Sequence, residues 1–185
     1  MKKYSISTYI ILASALLLSC KSKDKNEKKQ DDPFPALSFI KSQVAHVDTS
    51  VYPLKKIITI DSTSDTADVR REDFRALAAD FINTPDLTEK KYRKSYKFEN
   101  RFDSELGMAI FGCTPLQDNL EVRRQEVLIV PNPPNDKVKS IYIEKYKTNK
   151  DSTLMQRLIW NTDKSFIITN IISQNWQPDK IITPK

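Results

Sequence analysis

The chain has 185 residues, two glycines, two cysteines, one histidine and a formal net charge of +6 at pH 7. So few glycines exclude a phosphate-cradling P-loop and a dinucleotide-binding turn, which need several for close backbone approach. The Gly-x-Ser-x-Gly elbow of α/β-hydrolases is missing too.

The N-terminus changes character at one residue. Lys2 and Lys3 precede a compact apolar run, Ile10 to Leu18, which ends at Ser19 and Cys20, and from Lys21 to Asp32 nearly every side chain is charged or polar. A spanning helix needs roughly 20 predominantly apolar residues. This run is about half that, the size of a signal-peptide apolar region. Positions 17 to 20 read Leu-Leu-Ser-Cys, which resembles the lipobox of bacterial lipoproteins; Leu17 and Ser19 are usual occupants and Leu18 is bulkier than the commonest one.

That resemblance implies several things. Residues 1–19 are a signal peptide removed on export, and Cys20 is diacylated on sulfur with fatty chains such as palmitate and acylated at the new N-terminus. Multiple acyl chains grip a membrane far better than one, and a thiolate is the common side chain best suited to capture a lipid. Lys21 stands where an Asp would signal inner-membrane retention, which implies the cell outer membrane. Residues 20–32 then read as the lipidated Cys and a flexible charged tether, since no apolar side chain there offsets the entropy of ordering. Its lysines suit solubility first, and anionic headgroups second. The mild positive charge points to anionic lipid or acidic polymers, with no nucleic acid as partner.

Residues 33–185 are expected to form a single α+β domain of about 150 residues, a size able to bury a sizeable core. If acylation consumes Cys20, Cys113 has no partner within the chain, so the domain relies on that core and not on a disulfide. Phe34, Leu37, Ile40, Val44 and Val47 recur at helical spacing. "YPLKKIITID" reads as a short β-rich run. A second helix is expected from Asp65, Thr66 or Asp68 as cap to a stop at Pro85, burying Phe74, Leu77, Ala78, Phe81 and Ile82.

Strands follow near 96–102, 105–113, 121–131, 137–147, 153–161 and 165–174, joined by connectors rich in Asn, Asp, Pro and Ser. Short connectors force antiparallel neighbours, giving an antiparallel meander sheet of about six strands with the two N-terminal helices packed on it. "TLMQRLIW" and "SFIITNIIS" carry apolar residues on both faces, which implies that both faces are covered or that the sheet curls around something. As a series, "REDFRALAADFINTPDLTEKKYRKSYK", "EVRRQEVLI", "NDKVKSIYIEKY" and "KDSTLMQRLIWNTDKSFII" resemble an uncharacterised group of bacterial envelope lipoproteins across most of residues 68–173. No activity, cofactor or catalytic set comes with that resemblance.

Individual candidates for chemistry have a simpler reading beside the sharper one. Cys113 in "MAIFGCTP" reads as a buried inert thiol before a reactive one. His46, the lone histidine, has no second His or thiol near it, so it reads as a helix-surface residue, not a zinc ligand or triad base. Glu72/Asp73 and Asp103/Glu105 suit capping and turns before acid–base work. Lys90, Lys91, Arg93, Lys94 and Lys97, with Tyr92 and Tyr96 interleaved, read as a solvated connector before a polyanion contact. Arg123 and Arg124 are expected on opposite strand faces. Tyr142, Tyr146, Trp160 and Trp176 suit a core before sugar stacking.

No catalytic, cofactor-binding or metal residue is assigned; Cys20 is the one site residue, by lipidation. The expected function is a membrane-anchored envelope lipoprotein acting as a non-catalytic binding or assembly module, without cofactors, with an envelope protein or a lipid-like ligand as partner. The alternatives are a carrier or sensor of lipid-like ligands in a cavity under the curved sheet, and a carboxylate-dependent envelope hydrolase.

Overall fold

The structure, a computed structural model, describes residues 31–150 and 152–174; the signal peptide, Cys20 and Trp176 lie outside them. The first element is helix α1, Ala36–Thr49, whose Ala36, Ile40 and Val44 are buried at four-residue spacing. Its last carbonyls are not left orphaned. Val47 O accepts from the Ser50 backbone N–H at 3.1 Å and from Arg71 Nη1 at 3.1 Å, and Arg75 Nη2 lies 2.6 Å from Asp48 Oδ2. Cations at a helix C-terminus also oppose its negative dipole end.

Where one long second helix was expected, the chain makes a hairpin first. Strands β1, Leu54–Ile60, and β2, Thr63–Val69, pair antiparallel from Leu54↔Val69 to Ile60↔Thr63. The capping candidates Asp65, Thr66 and Asp68 therefore belong to β2. The physical reason is local: β-branched Ile57 to Ile60 favour extended backbone, and Asp61 accepts a left-handed φ of 53° at the turn. That returns Thr63, Thr66 and Val69 as a partner strand. Helix α2, Arg71–Leu77, begins only after the hairpin, and Ala78 separates it from α3, Ala79–Ile82. The expected apolar face is kept: Ala78 and Phe81 are buried and Phe74 and Ile82 pack beside them. One further helical turn, α4, spans Lys90–Arg93.

The rest is an open six-stranded sheet in the order β3-β4-β5-β6-β7-β8. Its strands are β3 Tyr96–Asp103, β4 Met108–Pro115, β5 Val122–Val130, β6 Lys137–Thr148, β7 Ser152–Asn161 and β8 Ser165–Gln174, every neighbour antiparallel. The protein is thus α+β with an antiparallel meander. The largest boundary shift is at β4, because Asp103 Oδ1 accepts the Glu105 and Leu106 N–H groups at 3.0 Å each and Gly107 takes φ 64°. The sheet does not curl closed: β3 and β8 remain its two edges.

The four helices of the described residues lie on one side of the sheet. Phe34 and α1 meet Phe111, Phe74 and Phe81 meet Trp160 and Phe166, and Tyr92 meets Tyr96. By register, Phe98, Cys113, Gln125, Ile143, Leu158 and Ile168 share that face, and the core fills it. The β1–β2 hairpin stands outside this core, with Ile57 68 % and Ile60 70 % exposed. A two-stranded hairpin without a packed face is marginal by itself. Hydrogen exchange should therefore find the amides of Leu54–Val69 unprotected long before those of Ile141–Ile143; equal protection in both would refute that order.

Candidate functional site

The second face of the sheet is the unusual one. An antiparallel sheet packed on one side normally alternates to a polar outer face. Here register aligns Glu126, Tyr142, Ile159 and Ile167 in one row across β5 to β8. The next row is Arg124, Glu144, Arg157 and Thr169, and the one after it carries Tyr146, Met155 and Ile171. Toward β4 the face continues through Leu128 and Ile110, the latter 4 % exposed although no helix of the described residues lies over it. Apolar rows thus flank a charged one.

Each carboxylate of the face is held by arginine. Glu126 Oε1 lies 2.9 Å from Arg124 Nη2 and 3.8 Å from Arg101 Nη2. Glu144 Oε2 accepts the Tyr142 hydroxyl at 2.8 Å and stands 3.6 Å from Arg157 Nε. Burial, together with the carboxylate it donates to, holds the Tyr142 phenol above its ordinary value; the ion pair with Glu126 pushes Arg124 up. Tyr146 donates its hydroxyl to Met155 Sδ at 2.8 Å.

Arg123 and Arg124 do share this face, against the expectation that neighbours on a strand point apart. A β-bulge lies between Val122 and Arg124, opposite Lys145 and Glu144. The extra residue, Arg123, escapes the alternation. Its guanidinium carbon lies 5.5 Å from the Tyr146 ring centroid, while that of Arg124 lies 5.7 Å from the Tyr142 ring. Nothing in the local sequence marks that bulge, so the paired Arg–Tyr stacks were not visible. Glu126 and Glu144 each pair with a residue two places away on their own strand, Arg124 and Tyr142, and with one brought in by the sheet, Arg101 of β3 and Arg157 of β7; only the first of each was within reach of the sequence.

The other sequence candidates fall elsewhere. Cys113 is buried in the helix-side core, and burial pushes its thiol up to about 12, so it is inert at neutral pH. His46 is exposed in the last turn of α1. Asp73 and Glu72 pair with Arg70 at 2.9 and 3.2 Å, and Asp103 serves the β3–β4 turn. Tyr96 is core, so the Lys90–Lys97 segment presents its cations without that ring. Trp160 stacks on Phe166 at 5.4 Å within the core. Among the described residues no group of three or more His, Cys, Asp or Glu is placed to hold a metal, and no helix is long and apolar enough to cross a membrane.

Comparison with known proteins adds no relative. No family model, no curated protein and no solved structure matches this chain. The second face and the N-terminal sequence are the features that bear on function. Chemically, that face offers flat aromatic and aliphatic surface, stacked guanidinium groups and carboxylates already neutralised. Tyr, Met and Arg are the residues enriched where proteins meet.

Proposed function

We propose that this chain is a lipid-anchored lipoprotein of the bacterial envelope, held through Cys20 at the outer membrane, which works as a non-catalytic binding or assembly module through the second face of its sheet. The observation that carries the binding reading is that face: apolar and aromatic rows where a solvated sheet would be polar, with every described helix on the opposite side. The anchor reading comes from the N-terminal sequence, and the fold is compatible with it. Asp31 Oδ2 accepts the Asn100 N–H at 2.7 Å on the edge strand β3, and Asp32 pairs with Arg93 of α4. The chain thus enters the domain at that edge. Ten residues of tether, 21–30, reach at most about 36 Å, which keeps the domain close to the bilayer.

Metabolic labelling with a fatty acid tests the anchor. Wild-type protein should incorporate label and sediment with membranes. Cys20→Ala should lose both, with its soluble fraction rising at least about tenfold, because the retained apolar run is too short to span. A variant that sediments unchanged, or an unlabelled wild type, sinks the anchor. The binding reading is tested separately, by crosslinking on intact cells.

A further inference from the structure

We propose that the basic edge formed by α4 and β3 lies on the anionic phospholipid headgroups of the bilayer that holds the anchor, so that the domain stands on this edge. This stance rests on the anchor reading above and adds the surface through which the folded domain meets lipid.

Positive charge is concentrated there. Residues 89–101 carry six cations, Lys90, Lys91, Arg93, Lys94, Lys97 and Arg101, against two carboxylates, Glu89 and Glu99. Over the rest of the described chain carboxylates outnumber cations, eighteen to fifteen. All six cations of the stretch are exposed. Lys91 Nζ lies 2.9 Å from Glu89 Oε2 and Arg101 Nη2 lies 3.8 Å from Glu126 Oε1, while Lys97 pairs with Glu99 and Arg93 with Asp32. Lys90 and Lys94 make no ion pair among the described residues. Exposed pairs hold by about 0–1 kcal/mol. A lysine near an anionic membrane surface gains about 1 kcal/mol, so headgroup phosphates compete with these carboxylates on at least equal terms.

The chain's entry into the domain points to the same place. Asn100 donates its backbone N–H to Asp31 Oδ2 at 2.7 Å, and Asp32 pairs with Arg93. The tether therefore joins the domain along the basic stretch itself. Residues 21–30 bring five more lysines against Asp24 and Glu27, adding to that charge. Because β3 is an outer strand of the sheet, β8 stands five strand spacings away, about 24 Å. That is well beyond the Debye length of about 8 Å, so headgroups under β3 sense the α4–β3 cations and little of the far edge. Standing on this edge also leaves the second face clear of lipid and open to a partner.

The test uses the full lipidated chain, purified and reconstituted into vesicles of phosphatidylcholine with or without phosphatidylglycerol. Lysines are labelled with an amine-reactive ester and read by mass spectrometry. Phosphatidylglycerol should lower the labelling of Lys90, Lys94 and Lys97 about fivefold, the equivalent of about 1 kcal/mol per lysine. Lys56 on the hairpin and Lys164 in the β7–β8 turn, both exposed, should label equally in both vesicles. Salt of about 1 M, where the Debye length is about 3 Å, should restore the labelling. Lys90→Glu combined with Lys94→Glu should abolish the protection of Lys97, with an unchanged melting temperature showing that folding is intact. Equal labelling of Lys90 and Lys94 in the two vesicles would overturn the proposal. Protection already complete in phosphatidylcholine would mean contact between protein molecules, and protection of Lys56 or Lys164 would put another surface on lipid; either overturns it. Protection by added lipopolysaccharide but not by phosphatidylglycerol would name a different ligand and overturn it as well. Protein that loads onto neither vesicle would remove the anchor and this stance together, whereas loading without a footprint removes the stance alone.

Discussion

Phe81→Ala should lower the unfolding free energy by about 3–5 kcal/mol, the cost of deleting a fully buried aromatic ring. Phe81 is 0 % exposed and carries the apolar contact of α3 with the sheet. Its ring meets Trp160 at 5.3 Å and 81° and Phe166 at 5.5 Å and 67°. Edge-to-face pairs of this kind add about 0.5–1.5 kcal/mol beyond area burial. Truncation removes both pairs and leaves a void that the paired strands β7 and β8 cannot close by moving. Total stabilities of about 5–15 kcal/mol are usual, so the loss is a large fraction. Urea unfolding followed by tryptophan fluorescence measures it. Ile57→Ala on the exposed hairpin is the control, with a change within about 0.5 kcal/mol. A Phe81→Ala loss no larger than the control would mean that the helical layer is not held by this contact.

Lys145→Ala should cost about 2–4 kcal/mol, for a different reason. Lys145 lies on the helix-side face of β6, 1 % exposed. Its Nζ donates to the Asp80 carbonyl at 2.8 Å and sits 3.9 Å from Glu121 Oε1. Asp80 also accepts from Gln156 Nε2 at 3.3 Å through Oδ2. The ammonium thus ties α3 to the middle of the sheet. Removing it deletes the buried stem, at about 2–4 kcal/mol for a large-to-small change in a core, and takes one of two donors from the Asp80 carbonyl, which keeps the Thr84 hydroxyl at 3.0 Å. Lys145→Met keeps most of the volume and should lose less than the alanine variant.

The same lysine makes a signed prediction with pH. Burial lowers its pKa below 10.5, with Glu121 opposing. In the interval between that lowered value and 10.5 the unfolded chain holds more protons than the folded one. Stability from this group therefore rises with pH there and is flat at neutral pH, where both states are protonated. Wild type should gain on Lys145→Met across that alkaline interval. A difference that shrinks with rising pH would mean that attraction to Glu121, not burial, governs the group.

The features legible in sequence were those with short memory. The stripe Ile40–Val44, the six strands and their antiparallel order all follow from periodicity and short connectors, which act over a few residues. The hairpin was misread as a helix start because Asp65, Thr66 and Asp68 suit a cap and a strand end equally, and the outcome was decided by pairing with Leu54–Ile60. Apolar residues on both faces of β7 and β8 were visible, and one of their two implied covers, the helical layer, is present.

By themselves, then, the residues determined an α+β plan and a strand order, and they carry the Leu-Leu-Ser-Cys motif on which the anchor proposal rests. Tertiary structure alone decided that the described helices share one side, that a bulge brings Arg123 beside Arg124, and that Arg101 reaches Glu126 and Arg157 reaches Glu144 from other strands. Periodicity is carried by neighbours in the chain and survives without a fold. Which face is left open, and which charges cancel on it, depends on residues brought together only when the strands pair.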